Sequence, residues 1–218
     1  MERQRTITML ADRIAAKQVS HPLRVAIDGR TASGKTTLAD EIATVLRSKG
    51  RTVIRTSVDG FHRPRVERYR QGRFSAEGYL NDARDWMAVR HLLLDPLGPG
   101  GNLSYRTSSF DLDLDEPVAQ DPIQATPDVI LIVDGTFLQR PELADAWDVV
   151  IFVEVSEEAA IQRGVTRDAA QFGGEDKARE MHEWRYQPAF ALYQARVSPE
   201  KRAHLVVDNN DPSVLIVC

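Results

Sequence analysis

One stretch near the N-terminus restricts the fold more than any other: VAIDGRTASGKTTLADEIA, residues 25–43. From Gly29 to Thr36 it matches the pattern G-x-x-x-x-G-K-[ST] without a mismatch. The apolar run at residues 23–28 predicts a buried strand, and apolar side chains at helical spacing follow Lys35 until Gly50. A strand, a glycine-rich turn and a helix start therefore occur in the order that a phosphate-binding loop requires.

This loop predicts a nucleotide site. Its glycines let backbone N–H groups turn inward, and the helix N-terminus adds a partial positive charge. We expect Lys35 to reach the β and γ phosphates of ATP and the Thr36 hydroxyl to hold Mg²⁺. The predicted ATP-binding residues are Gly29, Arg30, Thr31, Ala32, Ser33, Gly34, Lys35, Thr36 and Thr37. A glycine turn with an exposed lysine is the disfavoured alternative.

Further strand-like runs alternate with helical patterns along the chain. The runs lie at residues 51–59, 128–134, 148–155 and 203–208. Such alternation predicts an α/β fold of the P-loop NTPase class, with a doubly wound, mainly parallel sheet and flanking helices. An N-terminal helix is expected to pack on it.

The domain prediction is a single P-loop kinase domain over residues 1–218. Within it we expect a substrate-side insertion at about 60–120, which includes a short β excursion after residue 98, and a lid region at about 163–176. The sequence leaves the oligomeric state open.

Composition narrows the range of partners. Lys plus Arg number 28 and Asp plus Glu 32, a net charge of −4, so we expect no nucleic-acid partner. No apolar run approaches the ~20 residues that cross a bilayer, so no membrane association is expected. A single cysteine, Cys218, fits a reducing cytoplasm.

Acidic residues end three of the predicted strands: Asp28, Asp59 and Asp134. In parallel sheets, ligands bind outside the carboxyl ends of the strands. Asp134 follows an apolar run and is assigned to the magnesium ion or its water shell. Asp59 is assigned as the base that accepts the proton of the attacking hydroxyl. The alternative for both is an ordinary Asp-Gly turn.

Two groups of side chains complete the predicted catalytic site. Phe61 and His62 follow Asp59 and are expected to contact the substrate. Arg163 and Arg167 stand at i and i+4 of a predicted helix, before the glycines of AAQFGGED, and are expected to close on the transferring phosphoryl group. A solvated helix face is the alternative for this pair.

Four segments together resemble the phosphoribulokinase/uridine kinase family of P-loop kinases: GRTASGKTT, SVDGFH, LIVDGTF and FVEVSEEAAIQRGVTRD. The likeness runs from about residue 23 to residue 211. It implies an ATP- and Mg²⁺-dependent kinase with Asp59 as the base, Asp134 as the magnesium acid and Arg163 with Arg167 as lid arginines. The acceptor it implies is a hydroxyl of a small metabolite.

The substrate-reading segments depart from the uridine kinase pattern. By the resemblance, Asp82 and Tyr105 are retained as substrate-binding residues. The acid and the histidine that read uridine are replaced by Tyr79 and Phe110. A nucleoside or another sugar or vitamin alcohol therefore stays open as the acceptor.

Five arginines follow the proposed base, in HRPRVERYRQGR at residues 62–73. Planar guanidinium groups match carboxylate and phosphate oxygens, so an acceptor that is already anionic is one interpretation of this run, and a solvated loop is the other. A nucleotide-binding switch without kinase activity is the alternative function, although the chain lacks the N-K-x-D motif that reads guanine.

Overall fold

The computed structural model describes residues 2–218. Its strands are β1 (Leu23–Gly29), β2 (Val53–Ser57), β3 (Ser104–Tyr105), β4 (Phe110–Asp111), β5 (Glu116–Pro117), β6 (Ile123–Gln124), β7 (Ile130–Gly135), β8 (Val149–Glu154), β9 (Leu205–Asp211) and β10 (Val214–Val217).

The α-helices are α1 (Glu2–Ala16), α2 (Lys35–Ser48), α3 (Arg65–Arg68), α4 (Ala76–Asp82), α5 (Trp86–Ala88), α6 (Glu157–Phe172), α7 (Glu175–Met181), α8 (Gln187–Val197) and α9 (Pro199–Arg202). Two π-helical segments, Val89–Leu94 and His182–Tyr186, and two 3₁₀ turns, Val58–Phe61 and Ala144–Ala146, connect them.

The central sheet has the order β10-β9-β8-β1-β7-β2. Its pairs are parallel except for β10, which runs antiparallel to β9. The register sets Asp134 of β7 beside Ile27 of β1 on one side and Ser57 of β2 on the other. The carboxyl ends of the first, second and third predicted strands thus meet at one edge, as the sequence predicts.

Apolar layers cover both faces of this sheet, because successive side chains of a strand point to opposite faces. Val25 and Ile27 of β1 pack in the cluster that contains α1 and α2, whereas Ala26 belongs to the cluster on the other face. The predicted N-terminal helix is confirmed, since Leu10 and Ile14 are fully buried. The α/β, doubly wound fold is confirmed with it.

The segment between β2 and β7 carries the predicted β excursion. It consists of two short antiparallel pairs, β3 with β6 and β4 with β5. Among residues 2–218, no helix combines the length and the apolar character needed to cross a bilayer.

Candidate active site

The glycine-rich loop connects β1 to α2 with left-handed backbone conformations at Ala32 (φ 63°) and Gly34 (φ 89°). A Cβ on Gly34 would lie 2.4 Å from Asn209 Nδ2, which itself donates to the Ser33 carbonyl at 2.7 Å. The conformation and the close approach both require glycine here. Asn209 of β9 therefore holds the loop against the sheet.

The loop offers donors without protein partners. Within residues 2–218 no side chain caps the N-terminus of α2, so its first N–H groups stay available. The hydroxyls of Thr31 and Ser33 are buried and have no hydrogen-bond partner in the same described range. An oxyanion bound in the loop would satisfy such donors, because helix N-termini and buried hydroxyls both favour negative charge.

Lys35 is almost fully buried, and its Nζ donates to the Arg30 carbonyl at 2.6 Å. Burial lowers the pKa of Lys35 to about 8, although Asp134, Asp28 and Asp59 each favour its charged form. The structure thus brings all three strand-end acids into the electrostatic surroundings of the loop lysine.

Asp28 is a structural member of this group. Its carboxylate accepts hydrogen bonds from Tyr193 Oη at 2.6 Å and Gln139 Nε2 at 3.1 Å. Burial raises the pKa of Asp28, and these bonds partly offset the increase. Because the carboxylate is fully buried, it fixes the end of β1 and is closed to a substrate.

Asp134 is also buried, but it lies against the loop. Its Oδ2 accepts a hydrogen bond from Thr36 Oγ1 at 2.6 Å, and its Oδ1 lies 2.7 Å from Arg55 Nη1. A hydroxyl and a carboxylate side by side are the hard oxygen ligands that Mg²⁺ prefers. Thr36 and Asp134 therefore fit a magnesium ion beside the loop, as their sequence positions predict.

Asp59 lies in the 3₁₀ turn after β2 and has a side chain 62% exposed. Its Oδ1 accepts from Arg84 Nη2 at 2.6 Å, and the buried Arg84 guanidinium also lies over the rings of Tyr79 and Trp86. Desolvation by the surrounding protein raises the pKa of Asp59, but Arg84, together with His62 and Lys35, lowers the pKa to about 2. Asp59 is thus held ionised.

His62 adjoins this carboxylate. Its Nδ1 pairs with the Asp59 carbonyl at 2.7 Å. Burial and the nearby Arg84 charge lower the pKa of His62 to about 4, so its ring is neutral at pH 7.

A cavity of about 750 Å³ opens beside His62. Its charged and polar lining includes His62, Arg65, Arg68, Arg73, Asp113, Gln171 and Arg185. Tyr79, Tyr186 and Phe172 add aromatic surface, the last from the end of α6. A cavity of this size accommodates a small metabolite.

Of the five predicted substrate-binding residues, His62 lines this cavity, whereas Asp59, Phe61, Asp82 and Tyr105 do not. Phe61 is fully buried in the apolar core, and Tyr105 is buried in the same cluster. Asp82 is buried as well, where its carboxylate accepts from Arg70 at 2.8 Å and Gln71 at 2.7 Å. Phe61 and Tyr105 pack in the apolar core. The Asp82 carboxylate, at the end of α4, is paired with Arg70 of the preceding segment.

The two predicted lid arginines take different positions on α6. Arg163 donates to the carbonyls of Asn209 at 3.0 Å and Asn210 at 2.6 Å, at the end of β9. Arg167 forms a bidentate pair with Asp168, at 2.7 and 3.0 Å, and its charge also lowers the pKa of Lys35. Arg167 thus lies on the phosphate side, whereas Arg163 braces the sheet edge.

Asp168 connects Arg167 to the protein interior. Its Oδ2 pairs with Nε2 of the fully buried His182 at 2.9 Å. A Cβ on Gly164 would lie 1.9 Å from the His182 ring, so α6 can approach this histidine only with glycine at that position.

Sequence reasoning missed three arginines of the site. Arg55 interrupts the strand pattern of β2, and a charge within a buried strand is a signal that an acid lies opposite. Arg84 and Arg185 stand in segments without a motif, and their contacts to Asp59 and to the carbonyl of Arg68 span 25 and 117 residues. Local patterns carry no information on such contacts.

The parallel sheet, the loop between β1 and α2, and the acids around Lys35 define a P-loop kinase fold. The model of the Phosphoribulokinase / Uridine kinase family matches residues 25–214. The chain belongs to this family, which confirms the resemblance in the sequence.

Individual relatives agree with this assignment. The chain is 33% identical over 155 residues to uridine-cytidine kinase B of Dictyostelium discoideum, an alignment covering 70% of this chain and 61% of that protein. The chain thus matches less than two thirds of the relative's length.

Solved structures show the same fold. A possible uridine kinase from Bacillus stearothermophilus has a TM-score of 0.74 at 25% identity, covering 94% of this chain and 99% of that chain. D-glycerate 3-kinase from Cryptococcus neoformans has a TM-score of 0.54 at 12% identity, covering 88% of each chain, and shares the fold.

Proposed function

We propose that this chain transfers the γ-phosphoryl group of ATP to a hydroxyl of a small metabolite bound in the 750 Å³ cavity. One observation carries the proposal: an ionised, exposed carboxylate, Asp59, acts electrostatically on the loop lysine, Lys35, and adjoins His62 at the cavity wall. The proposed base thus adjoins a wall residue of the acceptor cavity and lies within electrostatic range of the loop lysine.

The loop positions the donor. Its free N–H groups and Lys35 neutralise the β and γ phosphates, and Arg167 adds positive charge on the same side. Thr36 and Asp134 are the residues that would hold Mg²⁺, which supplies further neutralisation of charge on the phosphates.

Asp59 orients the acceptor. The acceptor oxygen forms a bond to the γ phosphorus while the bond from phosphorus to the ADP oxygen breaks, and the hydroxyl proton passes to Asp59 and then to water. A carboxylate with a pKa of about 2 is a weak base, so it takes this proton late, once the new O–P bond has made the oxygen acidic. This order suits a loose, metaphosphate-like transition state.

The test is acceptor-dependent ADP release, screened over nucleosides, pantothenate, glycerate and sugar phosphates. Asp59→Asn should keep ATP affinity and lower kcat about a hundredfold or more. Lys35→Ala should weaken ATP binding and abolish transfer, whereas Lys49→Ala, an exposed lysine paired with Asp12 at the far end of α2, should match the wild type.

Two results would contradict the proposal. The first is ATP binding without ADP release for any acceptor, which would leave a nucleotide-binding protein of another kind. The second is unchanged turnover in Asp59→Asn.

A further inference from the structure

One buried arginine of the cavity wall is engaged only by neutral groups. Arg185, in the π-helical segment His182–Tyr186, is 3% exposed. Its guanidinium donates to the carbonyls of Arg68, at 3.2 Å, and Arg73, and lies 4.6 Å from the ring centre of Tyr69 and 5.3 Å from that of Tyr79. These two bonds use two of its five N–H donors.

Arg185 differs in this respect from other buried arginines of the chain. Arg24 pairs with Asp148 at 3.3 Å and Arg84 with Asp59 at 2.6 Å. Within residues 2–218, no carboxylate lies within 4.0 Å of the Arg185 guanidinium. Burial lowers the pKa of Arg185. This direction agrees with a cation that has no carboxylate partner. Buried charges are normally paired, so a ligand is the natural source of the missing anion.

The cavity itself is positive. Arg65 and Arg73 also line it, are exposed, and form no ion pair in the described part of the chain, whereas Arg68 is paired with Asp115 at 3.1 Å. Asp113 is the carboxylate of the lining. Three uncompensated guanidinium groups therefore face a space that holds a single acidic side chain.

We infer that the acceptor carries an oxyanion, a carboxylate or a phosphate, that Arg185 binds together with Arg65 and Arg73. This inference rests on the proposed kinase function and names its substrate class. Guanidinium presents a planar set of donors that matches two oxygens of such a group. Neutral nucleosides leave the Arg185 charge unpaired and are poor substrates.

The kinetic test compares acceptors that differ only in the anion. Glycerol is compared with glycerate and glycerol 3-phosphate, ribose with ribose 5-phosphate, and uridine serves as the neutral nucleoside. The anionic member of each productive pair should have the higher kcat/KM, and the carboxylate and phosphate arms identify which oxyanion is used. Arg185→Gln should lower that kcat/KM about 10- to 100-fold, mainly through KM, since a bond to a charged group is lost.

Variants separate charge from folding. Arg185→Lys should recover part of the loss, and the double variant Arg65→Gln, Arg73→Gln, which changes exposed side chains, should lower kcat/KM without affecting Tm. Arg179→Gln is the matched control, because Arg179 is exposed on α7, pairs only with Glu183 at 3.7 Å and does not line the cavity.

Binding of inorganic phosphate, measured by calorimetry with the loop filled by a non-hydrolysable ATP analogue, decides the inference independently of turnover. We expect binding that Arg185→Gln abolishes and Arg179→Gln retains. Efficient uridine phosphorylation that ignores the arginine variants would overturn the inference and leave the kinase proposal intact. Absence of ADP release with every acceptor would contradict the kinase proposal. Absence of phosphate binding together with equal kcat/KM for neutral and anionic acceptors would overturn the anion site.

Discussion

Replacement of Arg84 by methionine tests how the proposed base is kept ionised. The substitution removes the guanidinium that donates to the Asp59 carboxylate at 2.6 Å, and places an apolar side chain between Tyr79 and Trp86. Desolvation, which raises the pKa of Asp59, remains. Because Lys35 and His62 still favour the ionised form, the pKa should increase from about 2 toward its ordinary value of 3.8.

The size of this change is roughly two pH units. At pH 5 a carboxyl group with a pKa of 2 is protonated in about one molecule in a thousand, and one with a pKa of 4 in about one in ten. The wild-type kcat/KM should therefore show no acidic decline from Asp59 above about pH 4. The Arg84→Met variant should show a decline that begins near pH 5.

The free energy of unfolding of Arg84→Met at neutral pH should be lower than that of the wild type. A carboxylate with a lowered pKa stabilises the folded protein above its unfolded pKa and loses that contribution as pH falls toward about 2. Arg84→Met removes this contribution at neutral pH. Since the Asp59 side chain is 62% exposed, water screens the pair and the effect on stability is smaller than the pKa change alone would give.

The assays are a pH series of kcat/KM and a carboxyl NMR titration of Asp59. Arg24→Met is the matched control, because Arg24 is equally buried and acid-paired, but with Asp148 at the opposite end of β1. Coincident pH profiles for Arg84→Met and the wild type between pH 4 and pH 7 would refute the role of Arg84. If the pH profile of Arg24→Met shifted by the same amount, the shift in Arg84→Met would reflect lost stability and not the lost pair with Asp59.

Three further outcomes follow from the loop and from α6. Gly34→Ala should add about 1–2 kcal/mol of backbone strain and a clash with the Asn209 side-chain nitrogen 2.4 Å away. The affinity for an ATP analogue should therefore fall at least about tenfold. Gly100→Ala is the control and should reduce only Tm, because Gly100 also has a positive φ but lies in open space. ATP affinity, followed by calorimetry, should fall above about pH 8 as Lys35 loses its charge, and a flat profile to pH 10 would contradict its lowered pKa. Asp168→Asn should lower kcat about tenfold while analogue affinity persists, because Arg167 loses its bidentate partner; equal loss of both would indicate unfolding instead.

The parts of the fold that depend on short-range patterns could be predicted from the sequence. The loop from Gly29 to Thr36 and the strands around it could be predicted because the motif is contiguous and its strand and helix are adjacent in the chain. The strand β10 was missed, since a four-residue antiparallel edge strand after a turn has too few residues for a periodic pattern.

The site was predicted only where strand ends meet. Asp59 and Asp134 follow predicted strands, and the parallel sheet brings such positions together by geometry alone. Phe61 and Tyr105 were predicted from their positions in the chain, which do not give the direction of a side chain. Both side chains lie in the core. Arg185 lies in a helical stretch with no motif, and its contact with the 68–73 segment is created only by the packing of distant elements.

The brace from Asn209 to Ser33 has a consequence for how the protein is made. Asn209 follows Gly34 by 175 residues in the sequence, so the brace is translated after the loop. At roughly 5–20 residues per second, the glycine-rich segment waits about 10–35 s before its last support exists. Both sheet neighbours of β1 also arrive late, from residues 130–135 and 149–154. A nascent chain therefore gains the braced form of this loop only after β9 has been translated.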